Sequence, residues 1–223
     1  MQHIPCLYLP CEEGGNKLVI YFHGNAEDIG LAFDLMYLFG SEMKMHVLAV
    51  EYPGYGLYKG TGPNEEMMKE DAESIYDYLT TIVGVKEEDI IIFGRSMGSG
   101  PTSYLASQRN PLCVLLMSAF TSIKDAAKNL FGWAGFMSMV VYERFRNIDC
   151  IANAKCPCYF LHGIKDTLIP FSHSVELNNA CTQISYLHLV NDMDHNTFKL
   201  MDDLVEPFKK FVEKLESKPR RIK

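Results

Sequence analysis

Short apolar segments alternate along the chain with longer segments in which hydrophobic residues recur every three or four positions. A short uninterrupted apolar run predicts a buried strand, and the longer spacing predicts a helix with one buried face. The predicted strands are 18–22, 47–50, 90–93, 112–117, 158–161 and 185–190, and the predicted helices are 28–39, 64–82, 97–108 and 207–215. Because strands alternate with helices, we expect an α/β fold with a mostly parallel, doubly wound sheet and helices on both faces.

One segment, 121–147, interrupts this alternation. We expect it to form either a small helical cap over the sheet or a long helical crossover. No internal repeat and no low-complexity linker divides the sequence. We therefore predict a single domain over residues 1–223 that ends in a basic tail from about residue 216.

The composition is that of a folded globular protein, with 48% hydrophobic and 22% charged residues. Intrinsic disorder is therefore excluded for most of the chain. The net charge of -7 argues against general nucleic-acid binding. No apolar run approaches the length of about 18 residues that a membrane span needs, and the N-terminus lacks the features of a signal peptide. We expect a cytoplasmic protein without a transmembrane segment.

The seven cysteines show no spacing that is typical of a metal or redox site. Cys156 and Cys158 flank one proline and could form a metal or redox pair, but no second pair follows at zinc-site spacing. A structural role in a reducing compartment is the simpler interpretation. Gly54 and Gly56 lack the third glycine of a dinucleotide-binding loop. We therefore expect neither a metal nor a cofactor.

A serine stands in a Gly-x-Ser-x-Gly motif between a predicted strand and a predicted helix. The motif is Gly94-Arg95-Ser96-Met97-Gly98, and its sharp turn presents the serine hydroxyl above the sheet. The backbone N–H of Met97 lies in the first helical turn, where it has no helical partner and can donate to an oxyanion. We predict Ser96 as a nucleophile, and the alternative is a chance Gly-Ser-Gly turn.

A serine nucleophile needs a general base and a carboxylate that orients this base. His195 and Asp166 each lie in a polar loop that follows a predicted strand. We therefore predict that they complete a catalytic triad with Ser96. Asp192 and Asp194 are rival acids, although Asp194 is adjacent to His195 and is poorly placed to bond its ring.

A second oxyanion donor is expected in the loop that follows the predicted strand 18–22. In this loop Gly24 permits a tight turn, and the N–H of Asn25 can point toward the same place as that of Met97. His23 is an alternative base in the same loop. We interpret it instead as a structural residue beside the turn.

Five short blocks of the sequence resemble those of serine hydrolases of the α/β-hydrolase superfamily. They extend from about residue 18 to about residue 211 and include His23-Gly24-Asn25, Gly54-Tyr55-Gly56, Gly94-Arg95-Ser96-Met97-Gly98, His162-Gly163-x-x-Asp166 and Asp194-His195. The order of nucleophile, acid and base is also that of the superfamily. The His-Gly-Asn-Ala loop and the Tyr-x-Gly-Tyr-Gly turn resemble especially the eukaryotic α/β-hydrolase-domain proteins that act as acyl-protein thioesterases, or depalmitoylases. The blocks are also similar to the group called the serine aminopeptidase S33 domain.

The resemblance implies an α/β-hydrolase fold and a serine hydrolase that cleaves an ester or thioester through an acyl-enzyme. The implied catalytic residues are Ser96, Asp166 and His195, with the backbone N–H groups of Asn25 and Met97 as the oxyanion hole. Two alternatives remain, a non-catalytic binding module with this fold and a peptidase of the S33 type. The Gly-Gly-Pro-Gly loop that is typical of proline iminopeptidases is missing, which argues against the peptidase.

Two departures from the depalmitoylases concern the N-terminal part of the chain. Those proteins carry a cysteine-rich, lipidated segment, whereas here only Cys6 and Cys11 are present, around a predicted strand. A lipid anchor is therefore not implied. Because the chain begins late relative to the full fold, we expect the first one or two strands of the sheet to be absent.

The expected substrate is a small acyl ester or an acylated protein. Aromatic and methionine residues in the interrupting segment could line an acyl groove, although such residues more often pack helices together; they are Phe131, Trp133, Phe136, Met137, Met139 and Tyr142. The basic tail could give weak contact with an anionic membrane surface. The alternative is an ordinary solvated helix end, where cations are favourable.

Overall fold

In residues 3–59, 62–131 and 144–217, which this computed structural model describes, seven strands form one sheet. The strands are β1 Cys6–Leu9, β2 Leu18–Phe22, β3 His46–Val50, β4 Ile90–Arg95, β5 Cys113–Met117, β6 Cys158–Gly163 and β7 Ser185–Val190. Their order across the sheet is β1-β3-β2-β4-β5-β6-β7, and β1 is the one strand of the seven that runs antiparallel to its neighbour. The strands from β2 to β7 therefore all end at the same edge, here called the carboxyl edge. The opposite edge is called the amino edge.

Helices in the described segments cover both faces of this sheet. They are α1 Phe33–Met43, α2 Glu65–Tyr78, α3 Ser99–Gln108, α4 Ile123–Phe131, α5 Asn147–Ala152, α6 Ser172–Ala180 and α7 Glu206–Glu216. The buried side chains of α1 and α7 belong to one hydrophobic cluster. Those of α2, α3, α5 and α6 belong to a second cluster on the other face. This is the doubly wound arrangement that the alternating pattern predicts.

The central strands are apolar on both faces because each face meets a layer of helices. In β2, Ile20 and Phe22 pack in one cluster, whereas Val19 and Tyr21 pack in the other. All four side chains are at most 1% exposed. A strand buried on both faces has no polar positions to alternate with apolar ones, which explains the uninterrupted apolar runs in the sequence.

The predicted strands are all present, and the predicted helix over 64–82 is confirmed in detail. The side chain of Asn64 accepts a hydrogen bond from the N–H of Met67 at 3.0 Å, as an N-cap does. After α2 the chain continues in a π-helical turn, Leu79–Val83. Gly84 then ends the helical segment in the left-handed conformation, with φ 83°.

Two helical predictions were wrong or incomplete. The predicted helix over 28–39 begins only at Phe33, because the side chain of Asp28 accepts the N–H of Leu31 at 2.8 Å and forms a turn first. The helix α6 was not predicted at all. Its buried side includes His173 and Ser174 beside Leu177, so the sequence carries little helical hydrophobic pattern there.

Three predictions lie wholly or partly outside the described residues, or are not tested by them. Residues 132–143 lie outside, so a cap over 121–147 stays a prediction, with α4 and α5 described at its two ends. The basic tail from about residue 216 lies outside beyond Ser217. The single domain over 1–223 also stays a prediction. Among the helices of the described segments, none is both long and apolar enough to cross a lipid bilayer.

Candidate active site

The predicted nucleophile lies in a tight turn at the carboxyl edge, directly after β4. Ser96 has φ 51°, a left-handed conformation that a serine adopts only under strain. A Cβ on Gly94 would lie 2.3 Å from the carbonyl oxygen of Gly98, and a Cβ on Gly98 would lie 2.0 Å from that of Phe22. Neither position has room for a side chain. The strand, turn and helix thus meet as the Gly-x-Ser-x-Gly motif predicts.

Three side chains that are far apart in the sequence form one chain of hydrogen bonds at this edge. The Oγ of Ser96 lies 3.1 Å from Nε2 of His195, and Nδ1 of His195 lies 2.8 Å from Oδ2 of Asp166. The carboxylate only accepts hydrogen bonds, so Nδ1 carries the proton and Nε2 is free to accept from the serine. The side chain of His195 is 12% exposed and that of Asp166 is fully buried. The structure therefore brings together the nucleophile, base and acid that the sequence predicts.

The carboxylate of Asp166 is held by several donors in addition to His195. Its Oδ1 accepts the backbone N–H groups of Leu168 at 3.0 Å and Ile169 at 2.8 Å. Burial alone would raise the pKa of Asp166. Hydrogen bonds from His162, His195 and the N–H of Ile169 outweigh burial and hold this pKa well below its usual value. The group is therefore a stable carboxylate at neutral pH, which suits an acid that orients a histidine.

A second histidine, His162, supports the same carboxylate from the sheet side and was not assigned a role from the sequence. Its Nε2 lies 2.8 Å from the carbonyl oxygen of Ile169 and 3.3 Å from Oδ2 of Asp166. Its Nδ1 lies 2.6 Å from Oγ of Ser174. Because the carbonyl only accepts, Nε2 donates and Nδ1 accepts from the serine hydroxyl. The signal for this residue is its position directly after the predicted strand 158–161, although β6 itself continues through His162 to Gly163.

The two rival acids make other contacts. Asp192 is exposed and pairs with Lys165 at 2.7 Å. The side chain of Asp194 accepts the backbone N–H groups of Asn196 at 2.8 Å and Thr197 at 2.7 Å. Asp194 therefore shapes the turn that carries His195, and neither rival bonds the histidine ring.

The loop after β2 passes beside the nucleophile, as expected of an oxyanion loop. A Cβ on Gly24 would lie 3.8 Å from the Cβ of Ser96. The hydroxyl of Tyr55 donates to Oδ1 of Asn25 at 2.6 Å and lies 3.7 Å from the sulfur of Met97. The side chains of the two residues predicted as oxyanion donors thus both contact the hydroxyl of Tyr55.

His23 takes no part in this chain of hydrogen bonds. The side chain is buried, with Nε2 lying 2.9 Å from a carboxylate oxygen of Glu51 and Nδ1 lying 2.8 Å from the carbonyl oxygen of Gly24. The hydroxyl of Tyr52 also donates to the carbonyl oxygen of His23 at 2.8 Å. One ring nitrogen is engaged by Glu51, directly after β3, and the other by the backbone of the loop, which supports the structural interpretation of this residue.

The described residues contain no group of three histidine, cysteine, aspartate or glutamate side chains placed to hold a metal ion.

Comparison with known proteins gives relatives along most of the chain, although no family model matches it. The chain is 29% identical over 209 residues to the human α/β hydrolase domain-containing protein 17B. The alignment covers 94% of this chain and 70% of that protein. The chain is also 29% identical over 207 residues to protein 17C of Xenopus tropicalis, covering 93% of this chain and 65% of that protein. The chain thus spans about two thirds of the length of the relatives it matches.

Solved structures with the same arrangement of elements are similar over almost the whole chain. One is Est1E from Butyrivibrio proteoclasticus, with a TM-score of 0.73 and 14% identity, covering 96% of this chain and 95% of that one. Another is the Paleococcus ferrophilus monoacylglycerol lipase, with a TM-score of 0.65 and 19% identity, covering 97% and 99%. A third is the acetyl xylan esterase from Paenibacillus sp. R4, with a TM-score of 0.71 and 16% identity, covering 95% and 79%. At these identities the likeness concerns the fold.

Proposed function

We propose that the chain, which has the α/β-hydrolase fold, is a serine hydrolase that cleaves an ester or thioester through an acyl-enzyme. The observation that carries the proposal is the chain of hydrogen bonds from Asp166 through His195 to Ser96. It lies at the carboxyl edge of the sheet, where proteins of this architecture bind their ligands. A protein that only binds a partner has no need for this arrangement.

In the proposed reaction Ser96 attacks the carbonyl carbon of the substrate while Nε2 of His195 takes the hydroxyl proton. His195 then gives this proton to the leaving alcohol or thiol, and the acyl group remains on the serine oxygen. A water molecule, deprotonated by the same histidine, releases the acid and restores the serine. Asp166 remains ionised throughout, because its hydrogen bonds hold its pKa well below the usual value, and it stabilises the imidazolium.

The negative charge on the carbonyl oxygen is assigned to the backbone N–H groups of Met97 and Asn25. Met97 lies in the first turn after Ser96, where an N–H has no helical partner. Asn25 is its neighbour across the Tyr55 hydroxyl. One donor of this kind lowers the barrier by about 3 kcal/mol.

The proposed substrate is an acylated protein or a small acyl ester. The resemblance of the His-Gly-Asn-Ala loop and the Tyr-x-Gly-Tyr-Gly turn to depalmitoylases supports a thioester. We propose a reducing compartment such as the cytoplasm, because the seven cysteines, all within the described residues, form no disulfide with one another. We propose that the acylated substrate and the basic tail give weak contact with a membrane surface.

Labelling with a fluorophosphonate, which reacts with activated serines, tests the proposal. We expect one adduct on Ser96, loss of the adduct in Ser96→Ala, and loss of hydrolysis by about 10⁶-fold in the same variant. Ser107→Ala is the matched control, because this serine lies near the end of α3, where its hydroxyl donates to the carbonyl oxygen of Tyr104, accepts from the side chain of Gln108 and bonds Cys150. An unlabelled wild-type protein would defeat the hydrolase proposal.

Rates of hydrolysis of matched esters, thioesters and amides then distinguish the possible reaction classes. We expect hydrolysis of p-nitrophenyl esters and of thioesters with the same acyl chain, over a series of chain lengths. Faster cleavage of an amide such as an amino-acid p-nitroanilide would favour the S33 peptidase instead.

A further inference from the structure

Arg95, the first of the two variable residues of the Gly-x-Ser-x-Gly motif, directs its guanidinium across the site rather than into solvent. Its side chain is 13% exposed. Nη2 donates to the carbonyl oxygen of His195 at 3.1 Å and to Oδ1 of Asn196 at 3.0 Å. Nη1 donates to Oε2 of Glu27 at 3.3 Å. A single side chain therefore bonds two loops that are far apart in the sequence.

The carboxylate of Glu27 extends this contact to the oxyanion loop. The same oxygen that accepts from Arg95 also accepts the backbone N–H of Gly24 at 2.8 Å. A Cβ on Gly24 would lie 3.1 Å from this oxygen and 3.4 Å from Nη1 of Arg95. The backbone beside Asn25 is thus packed directly against the ion pair, which we call the Arg95 bridge: Arg95 with Glu27, Gly24, His195 and Asn196.

The anchor of this bridge is rigid. Arg95 is the last residue of β4, and its backbone pairs with Met117 of β5 in the interior of the sheet. The two loops that it bonds lie beyond the ends of β2 and β7, without strand pairing of their own. A site held by rigid elements keeps its geometry better than one held by loops alone.

We propose that Arg95 is a positioning residue that holds the oxyanion loop and the His195 loop in place around Ser96. The inference rests on the proposed function, because it assigns this role to the same site. A displacement of about 1 Å of a reacting group is enough to lower a catalytic rate about 100-fold. Arg95 itself touches no reacting atom, so its effect passes through the position of His195 and of Asn25.

A matched arginine elsewhere in the chain provides the control. Arg109 also bonds two carboxylates, Asp77 at 2.8 Å and Glu73 at 3.1 Å, and its side chain is 26% exposed. It follows α3 at the opposite edge of the sheet from Ser96. Loss of either arginine removes ion pairs of similar kind, but only Arg95 bonds the loop of the base.

The first experiment compares turnover in Arg95→Ala, Arg95→Lys and Arg109→Ala. Each rate is divided by the amount of Ser96 that a fluorophosphonate labels when the reaction has run to completion. We expect Arg95→Ala to lower kcat about 100-fold with little change in KM. Arg95→Lys should lose about tenfold, because one ammonium cannot bond both loops with the geometry of a guanidinium. Arg109→Ala should keep the wild-type rate.

This normalisation separates positioning from stability. A merely structural arginine would lower the melting temperature or the labelled fraction, and the rate per labelled serine would stay at the wild-type value. That result would overturn the inference.

Hydrogen exchange gives a second readout that does not depend on hydrolysis. We expect faster amide exchange in Arg95→Ala within both loops, 23–28 and 194–197, and unchanged exchange there in Arg109→Ala. Unchanged exchange in Arg95→Ala would overturn the inference even in an active hydrolase. Absence of labelling in the wild type would overturn the proposed function instead, so the two failures are distinguishable.

Discussion

At the carboxyl edge of the sheet buried polar side chains bond one another, whereas at the amino edge polar side chains form ion pairs that water reaches. Asp166 has a side chain that is 0% exposed and bonds two histidines. At the other edge, the side chain of Arg109 is 26% exposed and that of its partner Asp77 is 49% exposed. Both edges belong to the same strands and helices, so the difference is not one of fold.

The two edges differ in how much free energy is lost when one polar contact is removed. A buried polar group is costly unless it is bonded, so each group at the carboxyl edge depends on its neighbours. Positive φ angles occur at both edges, in Ala26, Ser96 and Ser118 at the carboxyl edge (58°, 51° and 50°) and in Lys44 at the amino edge (54°), so backbone strain does not distinguish them. The solvent-exposed pairs of the amino edge cost little to remove. Changes to the buried polar groups of the carboxyl edge should therefore have large effects, and changes to exposed ion pairs such as those of the amino edge should have small ones.

The largest effect is expected for the acid. Asp166→Asn should lower kcat by about 10⁴-fold, because an amide no longer fixes the histidine in the tautomer that accepts from Ser96. Asp192→Asn is the matched control, since its exposed carboxylate pairs with Lys165 alone and should leave kcat unchanged. Steady-state kinetics of the two variants decides the matter. A larger loss in Asp192→Asn would reassign the acid.

The pH dependence of stability tests the same carboxylate, because the direction of its pKa shift fixes whether stability rises or falls with pH. The folded state lowers the pKa of Asp166, so its stabilising contribution is present above the unfolded value of about 3.9 and is lost as the pH falls toward the folded value. The wild type should therefore lose more stability than Asp166→Asn between pH 5 and pH 2. Parallel curves of unfolding free energy against pH would contradict this expectation.

A smaller effect, on the free energy of unfolding, is expected when a side chain is added at Gly98, two residues after the nucleophile. In Gly98→Ala the new Cβ would meet the carbonyl oxygens of Phe22 and His23, at 2.0 and 2.9 Å. We expect the free energy of unfolding to fall by about 3 kcal/mol, the upper part of the usual range for overpacking. Gly62→Ala, where no atom lies within 4 Å of the new Cβ, should change it little. Urea unfolding of both variants measures the difference, and equal stabilities would contradict the geometry.

The smallest effect on catalysis is expected from a thiol at the amino edge. A hydrogen bond from Cys158 is the main cause that lowers the pKa of Cys181 to about 7, with help from Gln183 and Ser185. Burial, with the nearby Asp71 and Glu51, raises the pKa of Cys6 to about 11. At pH 7 Cys181 therefore has a larger thiolate fraction than Cys6.

Iodoacetamide at pH 7 should therefore alkylate Cys181 before Cys6, and the rate should fall as the pH drops below 7. Peptide mass spectrometry across this pH range measures the order. Hydrolysis per labelled Ser96 should remain unchanged after alkylation, because Cys181 follows α6 at the edge opposite the site. If alkylation lowered turnover, and Cys181→Ser prevented this loss, the contrast between the two edges would be contradicted.

Much of the fold could be predicted because its strands are buried on both faces. Such strands appear as uninterrupted apolar runs, and the α/β-hydrolase fold expected from them and from the motif blocks is confirmed. The helix α6 escaped prediction, because its buried face includes His173 and Ser174, which bond at the carboxyl edge instead of adding an apolar stripe. The start of α1 was also misplaced, because the side chain of Asp28 forms a local turn before the helix.

The sequence by itself determined the order of strands and helices, the nucleophile turn and a short set of candidate acids and bases. These are local properties: apolar periodicity, glycines that tolerate a close approach, and polar residues after strand ends. Only the tertiary structure decided that Asp166, not Asp192, bonds His195, and that Arg95 joins the two loops beside Ser96. The partners in these bonds lie 29 to 100 residues apart in the chain. Their meeting depends on the register of parallel strands and the path of loops, which no local pattern encodes.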